Sequence, residues 1–94
     1  LLPPHGVYAC RVWVQGEAHL AVTNIGVRPT VSGQGLTIEP WLLDYDGDLY
    51  GQRITLELWH FLRGEQRFPS LEALQAEIHR NASQTRAFFA AHST

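Results

Sequence analysis

Glu39 is the residue of this chain best placed to move a proton. It is the one carboxylate in an otherwise apolar run, Leu36-Thr37-Ile38-Glu39-Pro40-Trp41-Leu42-Leu43. Alternation puts Glu39 on one strand face with Thr37, Trp41 and Leu43, while Leu36, Ile38 and Leu42 point the other way. A carboxylate beside Trp41 and Leu43 is expected to be partly desolvated, and a poorly hydrated carboxylate takes a proton more readily. The same spacing also fits an ordinary surface glutamate on a half-buried strand, and it leaves both readings open.

The neighbouring residues exclude more than they assign. Asp44, Asp46 and Asp48 alternate behind the strand, which invites a calcium loop. Counted from Asp44, however, the positions that need Gly and Glu hold Leu49 and Thr55. An acidic turn around Asp46-Gly47 is the better reading. The five histidines (His5, His19, His60, His79, His92) show no metal-ligand spacing, and Cys10 is the only thiol. Gly33-Gln34-Gly35 opens no helix and is too short for a dinucleotide fingerprint. Asn81-Ala82-Ser83 fits the glycosylation pattern but falls in an expected helix. Arg63-Gly64-Glu65-Gln66-Arg67-Phe68 is either a solvated exit from a strand or a ligand clamp anchored by Arg63 and Phe68.

Composition sets the outer limits. Ninety-four residues with 45% apolar content fit one small domain with a modest core. A net charge of −2 gives no long-range pull on nucleic acid or on an anionic membrane. All seven basic residues are Arg, so the Gly-Lys-Ser/Thr of a P-loop is excluded within this sequence. No apolar run approaches the ~20 residues that span a bilayer. One cysteine excludes a disulfide framework and suits a reducing, cytoplasmic setting. There is no Met, so the chain is expected to be a piece of a longer protein.

These residues need a scaffold, and the pattern supplies four strands and a helix. Leu2-Pro3-Pro4-His5 is an extended, proline-stiffened lead-in. Gly6 to Val14 is rich in β-branched and aromatic residues and reads as a strand. A turn at Gln15-Gly16-Glu17 leads to a second strand over His19 to Ile25. Asn24 to Thr30 then reads as an irregular loop, continued by a flexible Ser32-Gly33-Gln34-Gly35. The third strand is Leu36 to Leu43, with Pro40 marking an edge, a bulge or a strand break. Arg53 to Leu62 alternates, placing Ile54, Leu56, Leu58, His60 and Leu62 inward and Thr55, Glu57, Trp59 and Phe61 outward, under a covering helix. Ser70 is the expected N-cap of that helix, with Leu71, Leu74, Ile78, Thr85 and Phe88 or Phe89 as its apolar stripe and Ala90 to Thr94 fraying. Strands followed by a helix argue for an antiparallel sheet or barrel with the helix on one side.

The motifs, taken together in order, resemble one family. Leu2-Pro3-Pro4-His5-Gly6-Val7-Tyr8-Ala9, Asn24-Ile25-Gly26-Val27-Arg28-Pro29-Thr30, Ile38-Glu39 with Leu42-Leu43-Asp44, Gly47-Asp48-Leu49-Tyr50-Gly51, Phe61-Leu62-Arg63 with Glu65 and Phe68, and Ser70-Leu71-Glu72-Ala73-Leu74 span nearly the whole chain. In that order they resemble the riboflavin kinase (flavokinase) domain, in particular the C-terminal module of bacterial bifunctional riboflavin kinase/FAD synthetases.

The resemblance implies a mainly β fold: a small antiparallel Greek-key barrel, riboflavin-synthase-like, with one C-terminal helix and here lacking its first strand. It implies transfer of the γ-phosphate of ATP to the 5′-hydroxyl of riboflavin, giving FMN. It makes Glu39 the catalytic base, sets Leu42, Asp44 and Tyr50 along the nucleotide, and gives Arg63, Gln66 and Phe68 to the flavin. It also implies an N-terminal FMN adenylyltransferase domain in the full-length protein.

Three departures go with it. Trp41 stands where the family commonly has His, Pro40 stands between it and the base, and Asn81 stands where the helix usually carries Asp. The family's Gly-rich loop and Pro-Thr-Ala-Asn motif, which hold Mg2+ and the ATP phosphates, are expected upstream of Leu1. Pro29-Thr30 is not that motif, since Val31-Ser32 follows. No metal ligand is assigned in this sequence. Residues 1–94 are therefore expected to be one N-terminally truncated domain, inactive alone and with an exposed sheet edge. The competing implication is a non-catalytic flavin-binding or interaction module of a larger FAD synthetase.

Overall fold

The computed structural model describes residues 4–92, so readings that fall on Leu1, Leu2, Pro3, Ser93 and Thr94 lie outside the described residues. Four strands and one helix follow in chain order: β1 (Gly6–Val14), β2 (Glu17–Thr30), β3 (Gly33–Leu42), β4 (Ile54–Arg63) and α1 (Leu71–His92). The strands make one antiparallel sheet in the order β3-β2-β1-β4. The fold is thus mainly β with a C-terminal helix, an open sheet compatible with a small barrel-like fold.

β1 carries the sheet because it is paired on both sides, and its run of Val, Tyr, Ala and Cys tolerates burial on both faces. The β1–β2 turn is tight: Gln15 and Gly16 both have positive φ (51° and 83°), as a two-residue hairpin turn requires.

β2 and β3 are longer than their residues suggest. The stretch from Asn24 to Thr30, expected to be a loop, is strand, and Gly33 to Gly35 is strand opposite it. Cross-strand pairing supplies what local propensity lacks: every residue from Ile25 to Thr30 faces a partner between Gly33 and Ile38. Beyond Ile25, β2 has no β1 residue beside it, which is where Pro29 can stand without breaking a ladder. Pro40 likewise sits on β3, an edge strand.

β4 departs from simple alternation. Its ladder with β1 shifts register twice, between Ala9 and Cys10 and between Val7 and Tyr8. The first shift reverses the facing of the strand, so His60 leaves the inner face and stacks on Phe88 of the helix at 4.7 Å. Phe61, expected to lie under the helix, instead meets Tyr8 edge-on at 5.2 Å on the opposite face. Trp59 does lie under the helix, against Phe89 at 5.4 Å.

The two faces of the sheet carry two apolar clusters. Tyr8, Cys10, Val12, Val14, Ala21, Ile25 and Leu42 pack on the face away from the helix, capped by Tyr45 and Leu49 of the β3–β4 connection. Val7, Val22 and Leu43 pack toward the helix around Ala82. Cys10 is buried, and burial pushes its thiol pKa up. It is an inert core residue.

α1 starts where Ser70 predicts. The Ala73 N–H donates to Ser70 Oγ at 3.1 Å. Leu71 is exposed rather than part of the stripe, because the first turn is held by its cap and packing on the sheet comes later. Asn81, Ala82, Thr85 and Phe89 are the buried positions. The helix runs without fraying through Ala90 to His92.

Gly6 sits beside the second register shift, and a Cβ there would strike the Arg63 carbonyl and the Phe61 ring. Gly6→Ala is expected to cost about 1–3 kcal/mol in urea unfolding, because backbone on the far side cannot give way.

Candidate active site

The cleft is built on one row of residues crossing the whole sheet. Arg63 of β4 pairs with Val7 of β1, Val7 with Asn24 of β2, and Asn24 with Glu39 of β3. Directly paired residues share a sheet face, so all four point toward α1. Three interstrand steps separate the backbone positions of Arg63 and Glu39 by about 14 Å. The next row, His60-Ala9-Val22-Trp41, faces the same way.

The register shifts decide this arrangement. In the unshifted register that runs from Val14↔Ile54 to Cys10↔Leu58, Val7 would meet Phe61. Two extra residues in β4 put Arg63 there instead.

Above this row lies a groove of about 470 Å³, walled by Glu39, Asn24 and Trp41 on one side and by Arg63, Glu65, Gln66 and Phe68 on the other. Val7, Val22, Leu74 and Ile78 give it an apolar lining. The residues read as base and flavin side, Glu39 with Arg63, Gln66 and Phe68, thus share one groove. A second groove of about 390 Å³ continues past Trp41, between the residues from Leu42 to Asp46 and the helix residues His79, Ala82 and Arg86. Leu42 and Asp44 line this second groove. Tyr50 lines neither: it is exposed, its N–H donating to Asp48 Oδ1 at 2.8 Å in the acidic turn. Trp41 lines both.

Glu39 is half exposed rather than desolvated against Leu43, which lies in the core. Both its oxygens accept from Arg28 Nη2 at 2.8 Å. Arg28 carries no signal in the sequence, because Asn24 to Thr30 has loop propensities; as a strand, alternation puts Arg28, Gly26 and Asn24 on the face of Glu39. Gly26 leaves room for Glu65, whose carboxylate lies where a Cβ would be only 2.6 Å away. Asp44 has φ of 55°, and its Oδ1 accepts from Arg86 Nη2 at 3.1 Å, tying the second groove to the helix.

The Arg63 end is the most buried part of the site. Arg63 Nε lies 2.9 Å from Glu77 Oε2 and donates to Asn81 Oδ1 at 3.1 Å, while Nη1 donates to the Gly64 carbonyl at 3.2 Å. The guanidinium carbon stands 5.4 Å from the Phe68 ring centre. Glu77 also accepts from Arg80 at 3.1 Å and from Asn81 Nδ2 at 3.1 Å. Burial alone would raise the Glu77 carboxyl pKa. Hydrogen bonds from Arg80 and Asn81 and the charges of Arg80 and Arg63 outweigh it and hold the carboxyl below its ordinary 4.5.

Among the described residues no three His, Cys, Asp or Glu side chains gather where a metal ion could be held. Asp44, Asp46 and Asp48 do not form such a group, so these residues do not fit a magnesium cage. No helix among the described residues is long and apolar enough to cross a membrane.

Comparison with known proteins gives one family. The riboflavin kinase (flavokinase) family model matches residues 1–89. The bifunctional riboflavin kinase/FMN adenylyltransferase of Pseudomonas fluorescens is 47% identical over 90 residues, covering 95% of this chain and 29% of that protein. Its Escherichia coli K12 counterpart is 48% identical over 88 residues, covering 93% and 28%. The RNA-binding riboflavin kinase RibR of Bacillus subtilis is 41% identical over 80 residues, covering 84% and 35%. The chain therefore spans less than two-fifths of each of these relatives. A crystal structure described as a macrolide-efflux protein from Streptococcus pneumoniae superposes with a TM-score of 0.85 at 24% identity, over 92% of this chain and 28% of that one. At that identity it speaks for the fold alone.

Glu77 gives a pH test. Its folded-state value lies below its unfolded one, so the stability it contributes is complete above about 4.5 and is lost as pH falls through the depressed value. Glu77→Gln is expected to flatten that acid limb in chemical unfolding measured between neutral pH and pH ~3. An unchanged acid limb would show the carboxylate to be energetically idle.

Proposed function

The chain belongs to the riboflavin kinase family, and from that premise we propose that its first groove takes riboflavin and its second the nucleotide, the γ-phosphate of ATP passing to the riboflavin 5′-hydroxyl to give FMN and ADP. The observation that carries this reading is the sharing of one groove by Glu39, Arg63, Gln66 and Phe68, brought together from β3, β4 and the β4–α1 connection.

In this reading the flavin ring lies at the Arg63 end, against Phe68, with Gln66 as a polar contact. The ribityl chain runs along the cross-strand row toward Glu39. The apolar lining removes water from the ring, and the polar groups at either end fix its direction. Glu39 accepts a hydrogen bond from the 5′-hydroxyl, orients it, and takes its proton as the oxygen attacks the γ-phosphorus. The new O–P bond forms as the bond from the γ-phosphorus to the β,γ-bridging oxygen breaks, and ADP leaves with that oxygen. Arg28 fixes the carboxylate direction and must yield a lone pair to the hydroxyl.

Leu42 and Asp44 border the nucleotide in the second groove, with Arg86 holding Asp44 in place, and Tyr50, which lines neither groove, would reach it from the acidic turn. Magnesium on the phosphates would draw its ligands from outside the described residues. The complete protein would also carry FMN adenylyltransferase activity and work in the cytoplasm, where ATP is available.

The test is Glu39→Gln in the complete protein that carries this domain. Turnover of riboflavin to FMN should fall by about 10²–10⁴-fold, with riboflavin affinity within about threefold of the original. Near-normal turnover would remove Glu39 from the chemistry and favour a groove that only binds flavin.

A further inference from the structure

We propose that Glu77 is a positioning residue for Arg63, fixing one edge of its guanidinium so that the remainder addresses the ligand in the groove. The inference rests on the flavin reading of that groove. Glu77 does not line the groove; it stands behind Arg63 and Asn81, which do.

The geometry leaves Arg63 little choice. Its Nε is shared between Glu77 Oε2 and Asn81 Oδ1, and one N–H of its Nη1 is spent on the Gly64 carbonyl. Among the described residues Nη2 makes no hydrogen bond, and the planar group stands over Phe68. Three N–H bonds, one on Nη1 and two on Nη2, and one cationic face are therefore left for a ligand. A flavin offers a carbonyl-bearing edge to such donors and a π-system to the stacked pair.

The anchor itself is held tightly. The Asn81 amide, 1% exposed, cannot turn, because its Nδ2 donates to both Glu77 Oε2 and Gln84 Oε1. The Glu77 side chain is 12% exposed and that of Arg63 is 19% exposed. An arginine this buried is costly to leave unpaired and would swing toward water if its partner were lost. Asn81 can share the hydrogen bond but brings no charge, so the negative charge beside Arg63 comes from Glu77. Arg80 also pairs with Glu77, from the exposed side, so Glu77 serves two arginines.

Riboflavin titration followed by tryptophan fluorescence tests the proposal, alongside the NMR signal of the Arg63 Nε–H. Glu77→Gln keeps the shape and removes the charge. It should weaken riboflavin binding about tenfold and collapse the Arg63 Nε–H signal into the solvent-exposed envelope. Adding Asn81→Asp returns a carboxylate to an atom already 3.1 Å from Nε. The double variant should bind within about threefold of the native protein and recover the signal. Native-like binding and signal in Glu77→Gln would overturn the proposal. So would a loss that Asn81→Asp does not repair, since that is general destabilisation. If the native protein bound no riboflavin while the Nε–H pattern followed the variants as expected, the flavin reading would fall and the tie between Glu77 and Arg63 would stand.

Discussion

The pairing of β4 with β1 is the constraint on which the site depends. A straight ladder would give Phe61 the place opposite Val7 and hide a large ring beneath the helix. Two single-residue shifts exchange it for Arg63. One row across the sheet then ends in a cation on one side and in Glu39 on the other. Everything else at the groove follows from that row. Gly6 is small because the Arg63 backbone crosses it closely, and Gly26 is small because Glu65 lies against it. Asn81 and Glu77 are polar in a packed helix because the guanidinium arrives beneath them.

The helix is more than a lid on the sheet. Its second half supplies ordinary packing: Ala82, Thr85 and Phe89 on the strands, with Arg11 4.7 Å from the Trp59 ring at the border. Its first half leaves Leu74 and Ile78 to line the groove and spends its polar residues on Arg63. The same element thus provides apolar burial of about 1.5–3 kcal/mol per large side chain at one end and costly buried polarity at the other. Arg86 makes a second tie, to Asp44, beyond Trp41. Each groove is fastened to α1 by one ion pair.

Some of this was legible in the residues and some was not. β1 could be read to the residue because its β-branched and aromatic run and the Gln15-Gly16 turn agree. The start of the helix was legible because Ser70 follows Pro69 and the cap is a local interaction. Glu39, Arg63, Gln66 and Phe68 stood out as a set through resemblance to a family, and the structure gathers them at one groove without itself assigning their roles. The length of β2 and β3 was hidden, since Gly26, Pro29, Gly33 and Gly35 have loop propensities and only their mutual pairing makes them strand. The bulges were hidden for a deeper reason: register is a property of two strands, and neither states it alone. Nothing in the sequence marks Glu77, since its tie to Arg63 needs the helix to be docked before it exists.

The β2–β3 hairpin is a beam fixed at one end. β1 runs beside it only as far as the Gly6–Ile25 pair, and beyond that the ribbon continues on two strands to its turn at Val31 and Ser32. Glu39, opposite Asn24, sits at the root, where four strands still lie abreast. A two-stranded ribbon bends and twists far more easily than a sheet. Motion at the tip therefore dies away toward the root, as displacement does along any cantilever. The far end can sway or be jostled by a neighbour while the carboxylate near the clamp keeps its aim to within a fraction of that travel, and Arg28, two same-face positions out along the beam, reaches back to it.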